Sequence, residues 1–179
     1  QPDRAVAAKT MRHGCAMGAS IGNKQTMQAA HTSFISSAYW TEGIGPAAAV
    51  ATIEKMKRID VPNHLATLGT LMIDGLQALG SKHQVPVKTG SRLESVSISF
   101  DQSDATALMH LLPTRQLDHG FMAAGLFAAT LAHQARHVQA YLSKADIVFA
   151  ELAESIEKGD VLERIDSQVK HTMFARLTD

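Results

Sequence analysis

The sequence predicts a mixed α/β chain whose second half is a small α+β domain. Before Pro46, short runs of small residues are interrupted by glycines, a pattern typical of strand, turn and strand with close backbone approach. From Pro46 onward, apolar residues recur at helical spacing over several long stretches. One clearly alternating run, residues 93–100, interrupts these stretches. This order of elements favours a short sheet with helices packed on it.

The opening segment is predicted to form two short strands and a loop. A buried strand over residues 3–8 leads to Lys9, and a second strand covers residues 15–22. Residues 23–30 are polar and are predicted to form a short helical turn. Residues 31–45 show no helical stripe, and their glycines favour a tight loop.

Two consecutive helices follow. Pro46 is placed as the first helical residue, because its missing N–H would have had no partner there. An apolar stripe then runs along this helix through Val50, Ile53, Met56 and Ile59. Residues 60–63 break the helix, and a second amphipathic helix continues over 65–79 until Gly80 stops it. Residues 81–92 are predicted to cross into a second domain.

The second domain is predicted to contain both strands and helices. Residues 93–100 form its clearest strand, and residues 104–119 form a helix. Residues 121–133 form one or two strands of small and apolar residues. A long amphipathic helix over 134–158 follows, and a short helix over 160–169 precedes the polar tail.

Composition excludes several classes of protein. The 17 basic and 17 acidic residues balance, so we expect no nucleic-acid partner. No apolar run approaches the roughly 20 residues of a membrane-spanning helix, so we expect no membrane partner. The single Cys15 rules out an internal disulfide and gives no support for secretion. The chain opens without methionine or signal peptide, as the middle of a protein would, and we expect a cytoplasmic location.

Lys9 and the hydroxyl-rich segment before Pro46 are the candidate functional residues. A lysine amine can form a Schiff base with a carbonyl cofactor, and hydroxyls beside free N–H groups at a helix start suit a phosphate. Together they indicate a phosphorylated carbonyl cofactor. Sequence chemistry alone nevertheless favours an ordinary surface lysine at Lys9 and leaves Thr41 equally a capping hydroxyl or a phosphate ligand. Glu42 could neutralise a substrate amine, although an exposed loop carboxylate is the simpler interpretation.

Histidines and arginines in the second half add weaker candidates. His133 and His137 have a spacing that can chelate a metal on a helix, but no acidic residue stands at a supporting offset, so we expect no metal site. Arg115, Arg136 and Arg176 could each meet a substrate carboxylate, and the sequence does not choose among them.

Two long motifs carry a family resemblance: PDRAVAAKTM…HGCAMGASIG and SFISSAYWTEGIGPAAAVATIEKM. They resemble the class III aminotransferases, which are pyridoxal-phosphate enzymes of fold type I, and most closely the glutamate-1-semialdehyde aminomutase-like branch. The resemblance covers nearly the whole chain. It implies that Lys9 forms the Schiff base with pyridoxal 5'-phosphate. It also implies that Thr41, five residues before Pro46 (46 − 41), binds the phosphate of the neighbouring subunit in a homodimer.

The resemblance also implies that only the C-terminal part of an enzyme is present. Residues 1–60 would end the cofactor-binding large domain, 61–92 would form the interdomain helix and linker, and 93–179 would form the small α+β domain. The family's pyridine-pairing aspartate, ring-stacking aromatic residue and glycine-rich phosphate loop precede the lysine and have no counterpart in these 179 residues. The 179 residues alone are therefore expected to be inactive. Where relatives usually carry Asn-Gly-aromatic-Pro, this chain has His13, Gly14, Cys15 and Ala16.

Three functions remain open at this point. The first is part of an aminotransferase or aminomutase that moves an amino group between a small-molecule amino donor and a keto or aldehyde acceptor. The second is a non-catalytic remnant that serves as a dimerisation or interaction module. The third is a pyridoxal-phosphate racemase or decarboxylase on the same scaffold.

Overall fold

The computed structural model describes residues 2–167 of the chain. These residues divide between Val61 and Pro62 into two compact units. The division into residues 1–60, 61–92 and 93–179 concerns a larger enzyme and stays a prediction.

The first unit contains a two-stranded antiparallel ribbon, a short helix and a longer helix. Its elements are β1 (Arg4–Ala7), a 3-10 turn (Lys9–Met11), β2 (Ala19–Gly22), α1 (Lys24–Met27), a second 3-10 turn (Gln28–His31) and α2 (Ile44–Arg58). Arg4 lies opposite Gly22 in the ribbon. The side-chain oxygen of Asn23 caps α1 by accepting a hydrogen bond from the N–H of Thr26 at 2.8 Å.

The strand predicted to be buried over residues 3–8 is exposed. Val6 is 70% exposed on β1, and Ile21 is 64% exposed on β2. A ribbon of two strands has no interior strand, and nothing in the first unit covers these apolar side chains. The second strand begins at Ala19 rather than at Cys15, because the N–H of Cys15 donates back to the carbonyl of Arg12 at 3.2 Å and closes a turn.

Helix α2 begins two residues earlier than predicted, at Ile44 rather than at Pro46. The Glu42 side chain is the reason, since its Oε1 accepts a hydrogen bond from the N–H of Ile44 at 2.9 Å. Pro46 therefore lies inside the first turn, where a missing N–H is still harmless because that donor has no partner within the helix.

The buried side of α2 is not the predicted apolar stripe. Gly45 and Ala49 are the buried residues of this helix, whereas Val50 is 56% exposed. A Cβ atom on Gly45 would lie 2.9 Å from both the Ala16 carbonyl oxygen and the Met17 Cβ. Helix α2 thus packs on the turn before β2 through its small residues.

The second unit packs three helices on a three-stranded antiparallel sheet. Its elements are α3 (Val61–His83), β3 (Val87–Thr89), β4 (Ser95–Phe100), α4 (Ala105–Asp118), β5 (Leu126–Ala128) and α5 (Ala135–Lys158). The strand order is β3-β4-β5, with Val87 opposite Phe100 and Ser95 opposite Ala128. Strand β3 lies inside the segment 81–92, which was predicted as a linker. The sequence did not reveal this strand, because three residues are too few to show an alternating pattern.

One continuous hydrophobic core fills the second unit. On β4 the burial alternates as predicted, with Val96, Ile98 and Phe100 facing inward. The helices add side chains that are fully shielded from solvent: Leu76, Leu108, Leu111, Leu112, Val138, Val148, Phe149 and Leu152. The long amphipathic pattern of residues 134–158 is confirmed by α5.

Helix α3 does not stop at Gly80 but continues to His83. A Cβ on Gly80 would lie 2.5 Å from Cγ1 of Val87, so this glycine permits the close approach of β3. Gln84, the residue after the helix, ends it, because its φ of +59° is left-handed. The N–H of Val85 then donates to the Gly80 carbonyl at 3.0 Å, the bond expected at such a helix end.

The end of the described chain differs from the predicted short helix over 160–169. Residues 161–164 form turns rather than a helix, and residues 168 and 169 lie outside the described part. Among the described residues, no helix combines the length and the apolar character needed to cross a lipid bilayer.

Candidate functional site

Lys9 stands at the first position of the 3-10 turn that follows β1. Its carbonyl accepts hydrogen bonds from the N–H groups of Arg12 and His13, at 3.2 and 3.1 Å. The Lys9 side chain is exposed, and its Nζ forms no ion pair or hydrogen bond with any described residue. The amine is therefore uncommitted within this part of the protein.

The turn after Lys9 reverses the chain through two left-handed residues. His13 has φ +42° and Gly14 has φ +95°. Nothing lies within 4 Å of the position that a Cβ on Gly14 would take, so this glycine is required by backbone conformation and not by close packing. The reversal returns the chain to pair β2 with β1.

Thr41 lies in the turn that precedes α2, and its side chain is exposed. Its hydroxyl forms no hydrogen bond with any described residue. Ser37 differs, because its Oγ accepts a hydrogen bond from the N–H of Tyr39 at 3.2 Å. The Ser37 hydroxyl therefore stabilises its own loop.

The start of α2 offers an anion fewer donors than the sequence predicts. The N–H of Ile44 is bonded to the Glu42 carboxylate, and Pro46 has no N–H. The N–H of Ala47 already donates a hydrogen bond to the carbonyl of Gly43 at 3.1 Å. Phosphate recognition at this end would rest on the Thr41 hydroxyl more than on the backbone.

An open cleft of about 500 Å³ lies between the turn after Lys9 and the loop that contains Thr41. Residues 16–18 line it, together with Arg12, Ser37, Tyr39, Trp40, Glu42 and Pro46. The close contact of Gly45 with Ala16 and Met17 holds the two segments together. Neighbours of Lys9 and of Thr41 therefore line one cleft, although Lys9 and Thr41 are not themselves among its lining residues.

Arg12 is the cleft residue that sequence reasoning missed. Its side chain is half-buried, and Nη1 donates to the Cys15 carbonyl. Its Nε atom is buried and has no hydrogen-bond partner within residues 2–167. A signal was present, because Arg12 stands three positions after Lys9 in the same turn, but spacing alone does not show that a guanidinium faces a cleft.

Two of the three predicted arginines, Arg115 and Arg136, belong to the second unit. In the second unit, Arg115 pairs with Glu151 at 2.8 Å and donates to the Arg164 carbonyl at 3.1 Å, which is a structural role. Arg136 Nε lies 3.3 Å from His137 Nε2. Arg176 falls outside the described residues.

His133 and His137 are engaged in local hydrogen bonds in the second unit. His133 precedes α5, as predicted, and its Nδ1 accepts from the N–H of Thr130 at 3.0 Å. The Nδ1 of His137 accepts from the N–H of Gln134 at 3.2 Å. Within residues 2–167, no group of three possible metal ligands is found.

A smaller apolar cavity of about 190 Å³ lies in the second unit beside these histidines. Phe121 and Tyr141 contribute to its wall, with ring centroids 5.6 Å apart in an edge-to-face arrangement. Burial raises the pKa of Tyr141 to about 12. Neither Lys9 nor Thr41 belongs to this unit.

Comparison with known proteins relates the chain to transaminases. No family model matches it. A 2'-deamino-2'-hydroxyneamine transaminase of Streptomyces kanamyceticus is 28% identical over 145 residues, which are 80% of this chain and 37% of that protein.

Solved structures of transaminases have the same fold. The FumI protein of Sphingopyxis sp. MTA144, in its PLP internal aldimine form, matches 88% of this chain with a TM-score of 0.78 and 20% identity. An omega-transaminase from Sphaerobacter thermophilus matches 86% with a TM-score of 0.72 and 15% identity. The predicted fold class is therefore confirmed as a mixed fold of helices and small antiparallel sheets. The chain spans less than two fifths of the length of these two proteins, at 38% and 39%.

Proposed function

We propose that this chain is the lysine-bearing C-terminal part of a pyridoxal-phosphate-dependent aminotransferase. The observation that carries the proposal is that an uncommitted Lys9 amine and an uncommitted Thr41 hydroxyl each lie on a chain segment whose neighbouring residues line one cleft. The likeness to transaminases over most of the chain supports it. An aminomutase is the finer alternative, since it uses the same lysine chemistry.

The described residues fit the cofactor in two respects. A free amine at Lys9 can attach a carbonyl cofactor covalently, and a free hydroxyl at Thr41 can donate to a phosphate oxygen. When bound, pyridoxal phosphate withdraws electrons from the carbon that carries the substrate amine. Lys9 would hold the cofactor and then carry the proton to and from that carbon with its Nζ atom.

Reaction at Lys9 requires more protein than the described residues supply. The neutral amine attacks a carbonyl, and burial favours the neutral form of a lysine. Lys9 is exposed here, so the proposal requires that further protein covers it. The residues that bind the pyridine ring would come from that further protein, and the amino donor and the keto or aldehyde acceptor would enter there.

A homodimer is part of the proposal, with Thr41 completing the phosphate site of the partner subunit. The apolar surface of the first unit supports it. Phe34 is 96% exposed and Trp40 is 68% exposed, and Val6 and Ile44 add further apolar area. Large apolar side chains exposed in this number suit a surface that other protein covers. A cytoplasmic location stays a prediction.

The test is borohydride reduction of the longest natural protein that contains this sequence, followed by peptide mapping. A phosphopyridoxyl group on Lys9 is the expected result, since reduction fixes a reversible carbon–nitrogen link. Lys9→Ala should remove both this adduct and amino transfer. The control Lys24→Ala removes an exposed lysine of the same unit and should retain both.

The outcomes separate the alternatives. An adduct-free wild-type protein after soaking in pyridoxal phosphate would favour a non-catalytic module. Full transfer activity in Lys9→Ala would refute the role of this lysine. An adduct without consumption of any keto or aldehyde acceptor would favour a racemase or decarboxylase.

A further inference from the structure

The cavity of about 190 Å³ in the second unit has a mainly apolar wall. Met72, Ile98 and Val138 line it with aliphatic side chains, and Phe121 and Phe127 add aromatic rings. Its lining within the described chain includes no aspartate, glutamate, lysine or arginine. An engineered apolar cavity of about 150 Å³ is large enough to bind benzene. This cavity therefore has room for a molecule with one six-membered ring.

Tyr141 brings a hydroxyl without a hydrogen-bond partner to this wall. The residue is 9% exposed and lines the cavity, and its hydroxyl bonds to no described residue. Burial raises the pKa of Tyr141 to about 12, so the hydroxyl keeps its proton at neutral pH and can donate it. A buried hydroxyl that has lost its water and gained no partner is unfavourable. An acceptor oxygen on a ligand would satisfy it.

His133 supplies a second donor to the same cavity. Its Nδ1 accepts a hydrogen bond from the N–H of Thr130 at 3.0 Å, so in the neutral ring the proton is on Nε2. That Nε2 atom has no hydrogen-bond partner within residues 2–167. The His133 ring lies edge to face with Phe127, at 5.4 Å between centroids, and both residues line the cavity.

These features limit the chemistry of a ligand. A carboxylate or an ammonium group would lose its hydration among apolar side chains without a residue of fixed opposite charge. A neutral molecule with one oxygen loses less and gains the hydrogen bond that Tyr141 lacks. Entry is open to such a molecule, because Met122, which is 96% exposed, and Leu126, which is 51% exposed, belong to the lining and connect it with the surface.

We infer that this cavity binds a neutral single-ring molecule of the phenol class, with the Tyr141 hydroxyl donating to the ligand oxygen and the Nε2–H of His133 as the second donor. The inference goes beyond the proposed function and does not rest on it. The residues that line the cavity lie in the second unit, whereas Lys9 and Thr41 lie in the first. A phenol carries neither an amino group to transfer nor a carbonyl to receive one.

Direct binding to the longest natural protein that contains this sequence tests the inference. Titration calorimetry would compare phenol with toluene, which lacks the oxygen, and with benzoate, which adds a charge. Phenol should bind about 5- to 10-fold more tightly than toluene, the contribution of about one neutral hydrogen bond. Benzoate should bind at least about 10-fold more weakly than phenol, because its charge must be desolvated.

Tyr141→Phe removes the hydroxyl and keeps the ring that contacts Phe121. It should weaken phenol by about 5- to 10-fold and leave toluene bound at least as well as in the wild type. Tyr39→Phe is the matched control, since it removes the hydroxyl of an exposed tyrosine in the first unit. The control should change the affinity for either molecule by no more than about twofold.

Two further variants keep the inference testable if Tyr141→Phe fails to fold. Ala123→Leu enlarges a lining side chain and should abolish binding of both phenol and toluene. Ala128→Leu, at an exposed position of β5 outside the lining, is its control and should bind both. His133→Asn removes the Nε2–H but retains an acceptor for Thr130, and it should weaken phenol by about 2- to 5-fold.

Three results would overturn the inference. They are a wild-type protein that binds neither phenol nor toluene, equal affinities for the two molecules that Tyr141→Phe leaves unchanged, and an equal loss of phenol binding in Tyr39→Phe. The first would mean that further protein fills the cavity, and the last would place phenol in the first unit. Borohydride mapping of the same samples reports the Lys9 adduct independently. Failure of the phenol site therefore remains distinguishable from failure of the proposed function.

Discussion

The two units of this chain bury their side chains to very different degrees. In the second unit, α3, α4 and α5 enclose a continuous core against the sheet. In the first unit, which ends at the first residue of α3, Gly45, Ala49 and Val61 are the buried members of its described residues. Large apolar side chains such as Phe34 and Trp40 are exposed there instead. The candidate site, with Lys9, Thr41 and Arg12, lies wholly in this poorly buried unit.

The buried core and the candidate site therefore lie in different parts of the sequence. Burial of apolar area is the main favourable term in folding, so the second unit has the means to fold by itself. The first unit has little such burial, and its ribbon of two strands is marginal in isolation. Its exposed side chains are instead available for a partner surface and for a ligand.

The largest expected change in the free energy of unfolding comes from one of two phenylalanines, and the pair tests the difference in burial between the two units. Phe149 on α5 is fully buried, whereas Phe34 is 96% exposed. Phe149→Ala should lower the free energy of unfolding by about 3–5 kcal/mol, because it leaves a cavity in a packed core. Phe34→Ala should change it by no more than about 0.5 kcal/mol. Urea unfolding followed by circular dichroism measures both, and equal losses would refute the contrast between the units.

A smaller effect of opposite sign is expected at Gln116 on α4. This side chain is fully buried in the second unit, and among the described residues neither its Nε2 nor its Oε1 has a hydrogen-bond partner. Gln116→Leu should raise the free energy of unfolding by about 1–2 kcal/mol, since it removes an unpaired buried amide. Gln139→Leu, on the exposed side of α5, is the matched control and should give no gain. A loss of stability in Gln116→Leu would show that the amide does have a partner.

The smallest effect concerns pH and a surface contact of the second unit. Hydrogen bonds from Lys82 and His83 hold the pKa of Asp146 below its ordinary value of 3.8. A carboxylate with a lowered folded-state pKa stabilises the fold above its unfolded-state pKa, and this stability is lost as the pH falls through the folded-state value. Asp146→Asn should therefore unfold at slightly lower urea concentration at pH 7, and the difference from wild type should vanish in acid. A difference that persists at pH 2 would contradict this account.

Local pattern predicted much of the architecture. The alternation of residues 93–100 and the long stripe of residues 134–158 were confirmed as β4 and α5, because each pattern belongs to an element that buries one face in the core. The same reasoning failed on the strand at residues 3–8 and on the stripe of α2, where the unit supplies no core for the apolar face. Strand β3 is set by pairing with β4 and carries too few residues for a pattern of its own.

The candidate site divides in the same way. Lys9 and Thr41 are candidates by residue type, which can be read along the chain, and their roles toward the cofactor are implied only by the family resemblance. Other features depend on which segments meet in space. They are the exposure of both side chains, the close approach of Gly45 to Ala16, and the burial of the Arg12 Nε atom. The sequence by itself determined most of the long elements and supplied the candidate residues, because backbone preference and side-chain chemistry are local. The tertiary structure alone decided what is buried and which groups face one cleft, because burial and hydrogen-bond partners come from residues distant in the chain.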